Sequence, residues 1–326
     1  MNTMDLFDER RAQVMLIGRE EPAFDSPEYL FELKLDGDRC LAYLDGGGTE
    51  LVNRRGHRLL SHVPELASMH RQVRERCILD GELIIGSGMK RGFEQIRSRF
   101  ATANRYRLER LSRENPATFV AYDMLYLKDR DVLRLPLTER KGLMESNIAE
   151  NAYLAASRYI EGKGAALYEL AVAQGMEGVV GKRRESAYRM GKRSNDWVKF
   201  KNWAEDDFIV YGWFPSDKAD VVSLVLCQFR EDTLIYKGHV VLGRNSGDFR
   251  QVEAAPRRET PAVFRGPVPE KRHKTVWLEP VLVCKVAYLC LTATGGLRQP
   301  VYRGLREDKR PEDCIAPDSS TWPHGC

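Results

Sequence analysis

The chain has no run approaching the roughly 18 uninterrupted apolar residues of a membrane-spanning helix, so a helical membrane protein is excluded. Its start, Met1-Asn2-Thr3-Met4-Asp5-Leu6-Phe7-Asp8-Glu9-Arg10, has no apolar stretch of the kind a signal peptide needs. Cysteine is sparse and scattered. The seven residues Cys40, Cys77, Cys227, Cys284, Cys290, Cys314 and Cys326 form no Cys-x-x-Cys pair, which argues against a zinc ribbon and a disulfide scaffold and for a reducing cytosol. An excess of one charge is lacking too: 51 Lys and Arg stand against 47 Asp and Glu, a formal +4 that decides nothing by itself. What remains is an ordinary globular composition, 43% hydrophobic and 30% charged over 326 residues. That is enough apolar material for about two domains, and too much for a disordered chain.

The distribution of charge says more than its sum. Basic residues gather in Asn53-Arg54-Arg55-Gly56-His57-Arg58, in Gly181-Lys182-Arg183-Arg184 followed by Lys192-Arg193, and in a stripe from Lys90 to Arg113. Each cluster alone fits a solvated face. Three together point to a phosphate-rich partner.

Periodicity outlines the architecture. Tyr29 to Leu35 alternates as a half-buried strand does, and Cys40 to Val52 reads as a hairpin around Gly46-Gly47-Gly48. Val63 to Val73 has helical spacing, with Leu66, Met69 and Val73 on one side. Cys77 to Ile85 is one buried strand passage, and Thr118 to Tyr122 is another that ends on its tyrosine. Helices are predicted for Pro136 to Ile148 and Gly164 to Gln174, then a short strand at Val179-Val180. After Lys201 the texture shifts to short apolar runs at Asp207–Phe214, Val221–Phe229, Leu234–Leu242 and Val276–Leu291, with one helix at Asp248–Ala254. Short strands with a single helix suggest a small barrel of the oligonucleotide-binding type. The boundary falls near Asn202-Trp203-Ala204-Glu205, and Pro256 to Pro269 reads as an exposed loop.

Chemistry concentrates at a few points. Lys34-Leu35-Asp36-Gly37-Asp38-Arg39 puts a lysine at the end of an apolar strand, where it fits either an ordinary strand-turn or a nucleophilic amine. A free lysine stays protonated at neutral pH. One cation about 4 Å away contributes roughly 4 kcal/mol at an effective dielectric near 20, about three pKa units, so a nucleophilic Lys34 calls for nearby cations. Lys199 and Lys201, two apart on one strand, share a face and could supply them. Glu82 in Asp80-Gly81-Glu82 and Glu177 in Gly175-Met176-Glu177-Gly178 are acids among glycines and apolar residues. They fit turns, or they fit a ribose hydroxyl, a magnesium ion or an arginine. Tyr122 could stack on a base or belong to a core.

In order and spacing these segments resemble the covalent nucleotidyltransferase superfamily: ATP-dependent DNA ligases, RNA ligases and mRNA capping enzymes. The resemblance runs from about Leu30 to Glu312. It rests on Lys-x-Asp-Gly (Lys34 to Gly37) with Arg39, Arg54-Arg55-Gly56, Asp80-Gly81-Glu82, Tyr122-Asp123, Glu177 to Lys182, and Lys199-Phe200-Lys201. Arg303 to Lys309 resembles the Arg-x-Asp-Lys segment of DNA ligases and capping enzymes. Its surroundings, Trp277 to Pro280, Gly296 to Pro300 and Asp308 to Glu312, look most like bacterial ligases of non-homologous end joining.

The resemblance implies an α+β chain of two domains: an adenylyltransferase domain of antiparallel sheets with helices over 1–202, and an OB-fold β-barrel over 203–326. It implies ATP as cofactor, with AMP carried on Lys34, and Mg2+ or Mn2+. By position, Glu32 and Tyr122 would hold adenine, and Arg39 and Arg54 would contact phosphate or ribose near the nucleotide. Glu82 would take the ribose hydroxyl or a metal-bound water, and Glu177 a magnesium ion. Lys199 and Lys201 would neutralise the α-phosphate. Arg306 and Lys309 would close over the leaving pyrophosphate, with a hinge near Asn202 to Asp206. The implied substrate is nicked or broken duplex DNA, gripped by two domains alone with the Lys90–Arg113 stripe adding phosphate contacts. A monomer in the bacterial cytoplasm at the nucleoid, a Ku-type end-binding partner and no membrane complete the expectation. Cys284-Lys285 departs from it, with a lysine where related bacterial ligases are expected to carry an acid. The alternatives are an RNA ligase or capping-type enzyme, and a DNA-binding relative without catalysis. A small-molecule adenylate-forming enzyme lacks its glycine- and serine-rich phosphate loop here.

Overall fold

The computed structural model describes residues 5–86, 92–218, 220–259, 274–292 and 294–316. The chain splits into two compact units, Met1–Asn202 and Trp203–Cys326. Among the described residues no helix is long and apolar enough to cross a membrane. Predicted features at Lys90, Arg91 and residues 260–269 lie outside the described residues.

The first unit contains β1 (Leu16–Glu20), β2 (Ser26–Leu33), β3 (Asp38–Asp45), β4 (Gly48–Asn53), β5 (Cys77–Ile85), α1 (Gly92–Phe100), α2 (Arg105–Glu114), β6 (Ala117–Leu127), β7 (Arg130–Asp131), α3 (Leu137–Asn147), β8 (Leu154–Ala156), β9 (Tyr159–Gly162), α4 (Gly164–Ala173), β10 (Gly178–Arg183) and β11 (Arg193–Lys201). One sheet runs β1-β11-β10-β2-β9; the other runs β4-β3-β5-β6-β7, with β8 beside β6. Pairing is antiparallel except for β1 on β11 and β8 on β6.

Strand alternation gives each sheet two different faces. In the first sheet Phe31, Val179, Val198 and Phe200 pack under Leu167 and Ala171 of α4. The opposite parity carries Glu32, Val180, Lys182, Trp197 and Lys199, brought abreast because Val180 pairs with both Glu32 and Lys199 while Lys182 pairs with Trp197. In the second sheet Cys40, Ala42, Leu79 and Phe119 pack with Ile96 of α1 and Met144 of α3. Its other face places Leu41, Tyr43, Ile78 and Leu125 against Trp197, Tyr188 and Ile17. The two sheets therefore share a core through Trp197. Each large side chain so buried contributes roughly 1.5–3 kcal/mol.

The second unit contains β12 (Ala204–Pro215), β13 (Val221–Arg230), β14 (Thr233–Gly243), α5 (Gly247–Ala254), β15 (Val276–Trp277), β16 (Val283–Tyr288), β17 (Cys290–Leu291), β18 (Leu297–Arg298) and β19 (Val301–Leu305). Its main sheet runs β14-β13-β12-β16-β19, and β14 lies against β19, so the sheet curls around its core. Phe208, Leu224, Leu226, Val240 and Val286 fill that core together with Phe249 and Val252 of α5. The Ser246 hydroxyl caps α5 by accepting from the Phe249 amide at 3.1 Å. This is an OB-fold.

Four expectations change. Val63 to Val73 forms short 3-10 turns, at Pro64–Leu66 and Met69–Gln72, rather than one helix. Pro64 opens the first turn, where a proline fits, but further on the Thr49 hydroxyl captures the His70 amide that a continuous helix would use. β6 does not end at Tyr122 but continues to Leu127. The stripe is not one surface, because Arg99 is buried, pairs with Glu65 and donates to the Leu111 carbonyl. The segment expected to act as a hinge, Asn202 to Asp206, is mostly tied into one unit or the other. Ala204, Glu205 and Asp206 pair with β16, and the Asn202 side chain donates to the Met176 carbonyl.

Candidate active site

Two glycines bring the central pair of residues together. After β2 the Lys34 amide still donates to the Gly178 carbonyl at 2.9 Å, so the chain stays tied to β10 as it turns. At Gly37 the turn presses on β5: a Cβ there would lie 2.0 Å from the Leu83 carbonyl oxygen. Gly178 has φ +141°, and a Cβ would lie 1.9 Å from the Phe200 oxygen. With both backbones drawn in, the Lys34 amine sits 2.8 Å from the Glu177 carboxylate.

Lys34 opens on a cavity of about 230 Å³ between the two sheets. Glu32, Arg39, Glu82, Tyr122 and Lys182 line it, with Ile17, Val180 and Trp197 as apolar wall. Tyr122 faces the cavity because β6 bulges there: Asp80 pairs with Asp123 and Gly81 with Ala121, which leaves Tyr122 as the extra residue. Arg39 lies 5.5 Å over the Tyr122 ring and donates to Asp80 through Nε (3.0 Å) and Nη2 (2.6 Å). Asp80 also accepts from the Tyr188 hydroxyl at 2.7 Å, so the guanidinium is fixed from behind.

Charge in this cavity is arranged differently from the expectation of a depressed lysine. Burial works against the Lys34 ammonium, but Glu177, Glu82 and Asp36 outweigh it and hold its pKa above the ordinary value. The lowered amines are its neighbours. Burial and then Lys199 lower Lys201. Burial brings Lys182 down to about 8, against the pull of Glu32. Glu82 is pushed up to about 8 by burial, despite Lys34 and Arg39. Glu32 goes the other way: it is buried, yet Lys141 and Lys182 hold it below the usual range.

The predicted residues are not all in one place. Glu32, Lys34, Arg39, Glu82 and Tyr122 line the cavity, and Glu177 joins them through Lys34. Lys199 lies 3.8 Å from Glu20 beside that group. Arg54 is exposed and lines a separate cleft with Arg10, Tyr43 and Met190. Arg306 and Lys309 belong to the second unit. There Arg306 donates to Asp308 through Nε and Nη2, both at 2.7 Å, and to Asp207 at 3.1 Å, while Lys309 is exposed. Sequence reading gave no role to Lys182, Trp197, Asp80 or Lys141. For Lys182 and Trp197 a signal existed: Trp197 shares strand parity with Lys199, and Lys182 closes the segment that begins at Glu177.

The comparisons agree with this geometry. Residues 20–201 match the ATP dependent DNA ligase domain, and residues 217–309 match the ATP dependent DNA ligase C terminal region. The chain is 30% identical over 297 residues to the multifunctional non-homologous end joining DNA repair protein LigD of Mycobacterium tuberculosis, with 88% of this chain and 37% of that protein covered. It thus spans little more than a third of that relative. It is 27% identical to the SPbeta prophage-derived DNA ligase-like protein LigB of Bacillus subtilis, with 90% and 98% covered. Among solved structures it resembles a mycobacterial DNA ligase D complexed with ATP and MES, at 26% identity, TM-score 0.54, and 96% and 99% coverage. By fold, sequence match and the lysine-centred cavity, the chain belongs to the ATP-dependent DNA ligase family.

Proposed function

We propose that this chain seals nicks or broken ends in duplex DNA, with Lys34 as the nucleophile that carries AMP. The observation that carries the reading is the Lys34 amine, 2.8 Å from Glu177, at a cavity whose walls offer an aromatic ring, a buried carboxylate and cations. In the first step the Lys34 nitrogen, having lost a proton, bonds to the α-phosphorus of ATP. The α–β bridging P–O bond breaks, and pyrophosphate leaves. In the second step the AMP phosphorus moves from Lys34 to the 5′-phosphate of the DNA. In the third the 3′-hydroxyl attacks that 5′-phosphate, its proton departs, and AMP is the leaving group.

Each residue has a part. Tyr122 stacks on adenine and Glu32 accepts from its amine. Arg39, held by Asp80, and Glu82 face phosphate and ribose. Lys199 and Lys201 neutralise the α-phosphate in the transition state, where positioning and charge do most of the work. Arg306 and Lys309 meet the leaving pyrophosphate, and Arg54 and the exposed arginines of α2 contact DNA phosphates. Lys34 rests protonated against Glu177, so the free enzyme holds its nucleophile inactive until that contact loosens.

Glu82 and Glu177 would hold Mg2+ or Mn2+. The fit is chemical: Glu82 is raised to about 8 with Glu177 adding to its burden, a repulsion that a divalent cation relieves. Among the described residues no three His, Cys, Asp or Glu side chains form a metal-holding group, so triphosphate oxygens would complete the shell. When bound, such an ion supplies charge neutralisation at the triphosphate. A monomer in the cytoplasm at the nucleoid, with a Ku-type end-binding partner, completes the proposal.

The test mixes the protein with magnesium and α-phosphate-labelled ATP, before and after stripping with pyrophosphate, and reads a denaturing gel. Label retained by wild type, lost in Lys34→Ala and released by nicked DNA supports the reading. No label after stripping sinks it. A nicked duplex with RNA at the joint, sealed better than DNA, would reassign the substrate.

A further inference from the structure

One buried charge has no part in the reaction above. Lys141, on α3, is 1% exposed, and its amine lies 2.8 Å from Oε1 of Glu32. Lys182 lies 2.9 Å from that same oxygen. The other carboxylate oxygen accepts from the Ser157 hydroxyl at 2.8 Å. Two ammonium groups and one carboxylate leave a net positive charge in the interior. Such an arrangement is unfavourable, and one lysine would have sufficed to pair Glu32.

The two lysines differ in where they stand. Lys182 lines the cavity, 4.4 Å over the Tyr122 ring and 4.5 Å over that of Trp197. Lys141 is not part of the cavity lining. It approaches Glu32 from behind and lies 5.0 Å over the ring of Tyr159, the residue paired with Glu32 in the sheet. One cation can therefore turn to a ligand in the cavity, and the other cannot.

We infer that Lys141 is a positioning residue: the permanent counter-ion of Glu32, whose presence lets Lys182 leave Glu32 and serve the anionic part of the bound nucleotide. This rests on the reading of the cavity as a nucleotide site. In the resting enzyme both amines hold Glu32. When a nucleotide enters, its negative charge answers the excess positive charge, Lys182 turns to it, and Lys141 with Ser157 keeps Glu32 ionised and aimed at the base. The lowered pKa of Lys182, due first to burial and in part to Lys141, fits a cation kept in an unfavourable place until an anion arrives.

The test compares wild type, Lys141→Met, Lys141→Arg, Glu32→Gln and the double variant Glu32→Gln/Lys141→Met. It reads thermal midpoint, single-turnover labelling of the protein by ATP, and the KM for ATP. Lys141→Met leaves a neutral Glu32–Lys182 pair, so its midpoint should hold or rise. Its labelling at saturating ATP should fall roughly 10- to 100-fold, the worth of a charge-assisted contact in the transition state. Lys141→Arg should recover most of that loss. In the Glu32→Gln background the methionine should add little, because no carboxylate remains to retain Lys182. A lowered midpoint with labelling of the folded fraction unchanged would overturn the proposal and make Lys141 a structural residue. Equal losses with and without Glu32 would overturn it too. If wild type itself takes no label, the nucleotide reading has failed instead, and the wild-type lane separates the two.

Discussion

Two ion pairs in the first unit look alike on paper and do opposite work. Asp123 and Arg140 are both fully buried and joined by two hydrogen bonds, at 2.7 and 2.8 Å. The remaining guanidinium donor reaches the carbonyls of Leu135 and Ser186. Each guanidinium nitrogen and both carboxylate oxygens have a partner, and the pair locks α3 onto β6. Lys34 and Glu177 share one contact, Lys34 keeps 21% of its side chain exposed, and Glu82 stands close enough to be disturbed by both. Saturation fastens a fold. A pair left incompletely satisfied beside a cavity can be exchanged for a substrate.

The largest separation between the two pairs is expected in chemistry. Lys34→Ala should abolish protein-bound AMP altogether, measured by retained label, while the protein still unfolds cooperatively. The next is in stability. Asp123→Asn should lose roughly 3–5 kcal/mol, because it strands a fully buried guanidinium, whereas Lys34→Ala should lose less, because the shortened side chain opens Glu177 to the cavity and its water. Urea unfolding checks both, and similar losses would erase the distinction. A smaller effect is expected with pH. Glu82 ionises near 8 when folded against an ordinary 4.5, so between those values the folded protein holds the extra proton. Its contribution to stability is present below about 4.5 and is lost as pH rises towards 8. Glu82→Gln should flatten that decline in thermal midpoint. The smallest effect belongs to a pair with neither role: Arg183 and Glu28 meet at 2.9 Å but are 44% and 64% exposed. Arg183→Ala should change stability by about 0.5 kcal/mol or less.

Much of the site was legible because its chemistry is local. Lys34, Glu82 and Glu177 each stand in a short segment whose glycines leave a trace, and the structure gives the reason at Gly37 and Gly178, where no side chain fits; Tyr122 was legible as the aromatic next to Asp123 in an apolar strand. Lys141 left no such trace. It sits in a segment that reads simply as a helix, and only the packing of α3 against Glu32 reveals a buried charge. Arg99 misled for the same reason. One arginine among several in a basic stripe looks solvated until its partner Glu65, 34 residues away, is seen. Val63 to Val73 failed because apolar spacing reports which side is buried, not whether a hydroxyl 21 residues away, that of Thr49, takes the amide a helix would use.

The sequence alone determined the order of the segments, the lysine at the head of the candidate site, the two-unit organisation and the alternation that puts charge on one face of β2, β10 and β11 and apolar bulk on the other. These depend on neighbours two to four positions apart, where backbone geometry is fixed. The tertiary structure alone decided which charges meet. It gave Lys34 to Glu177, Arg39 to Asp80 and two lysines to Glu32, and it raised the lysine that spacing suggested would be lowered. Charge interactions act through space in a poorly screened interior, so their sign and size follow from distance and burial, which a linear order of residues does not contain.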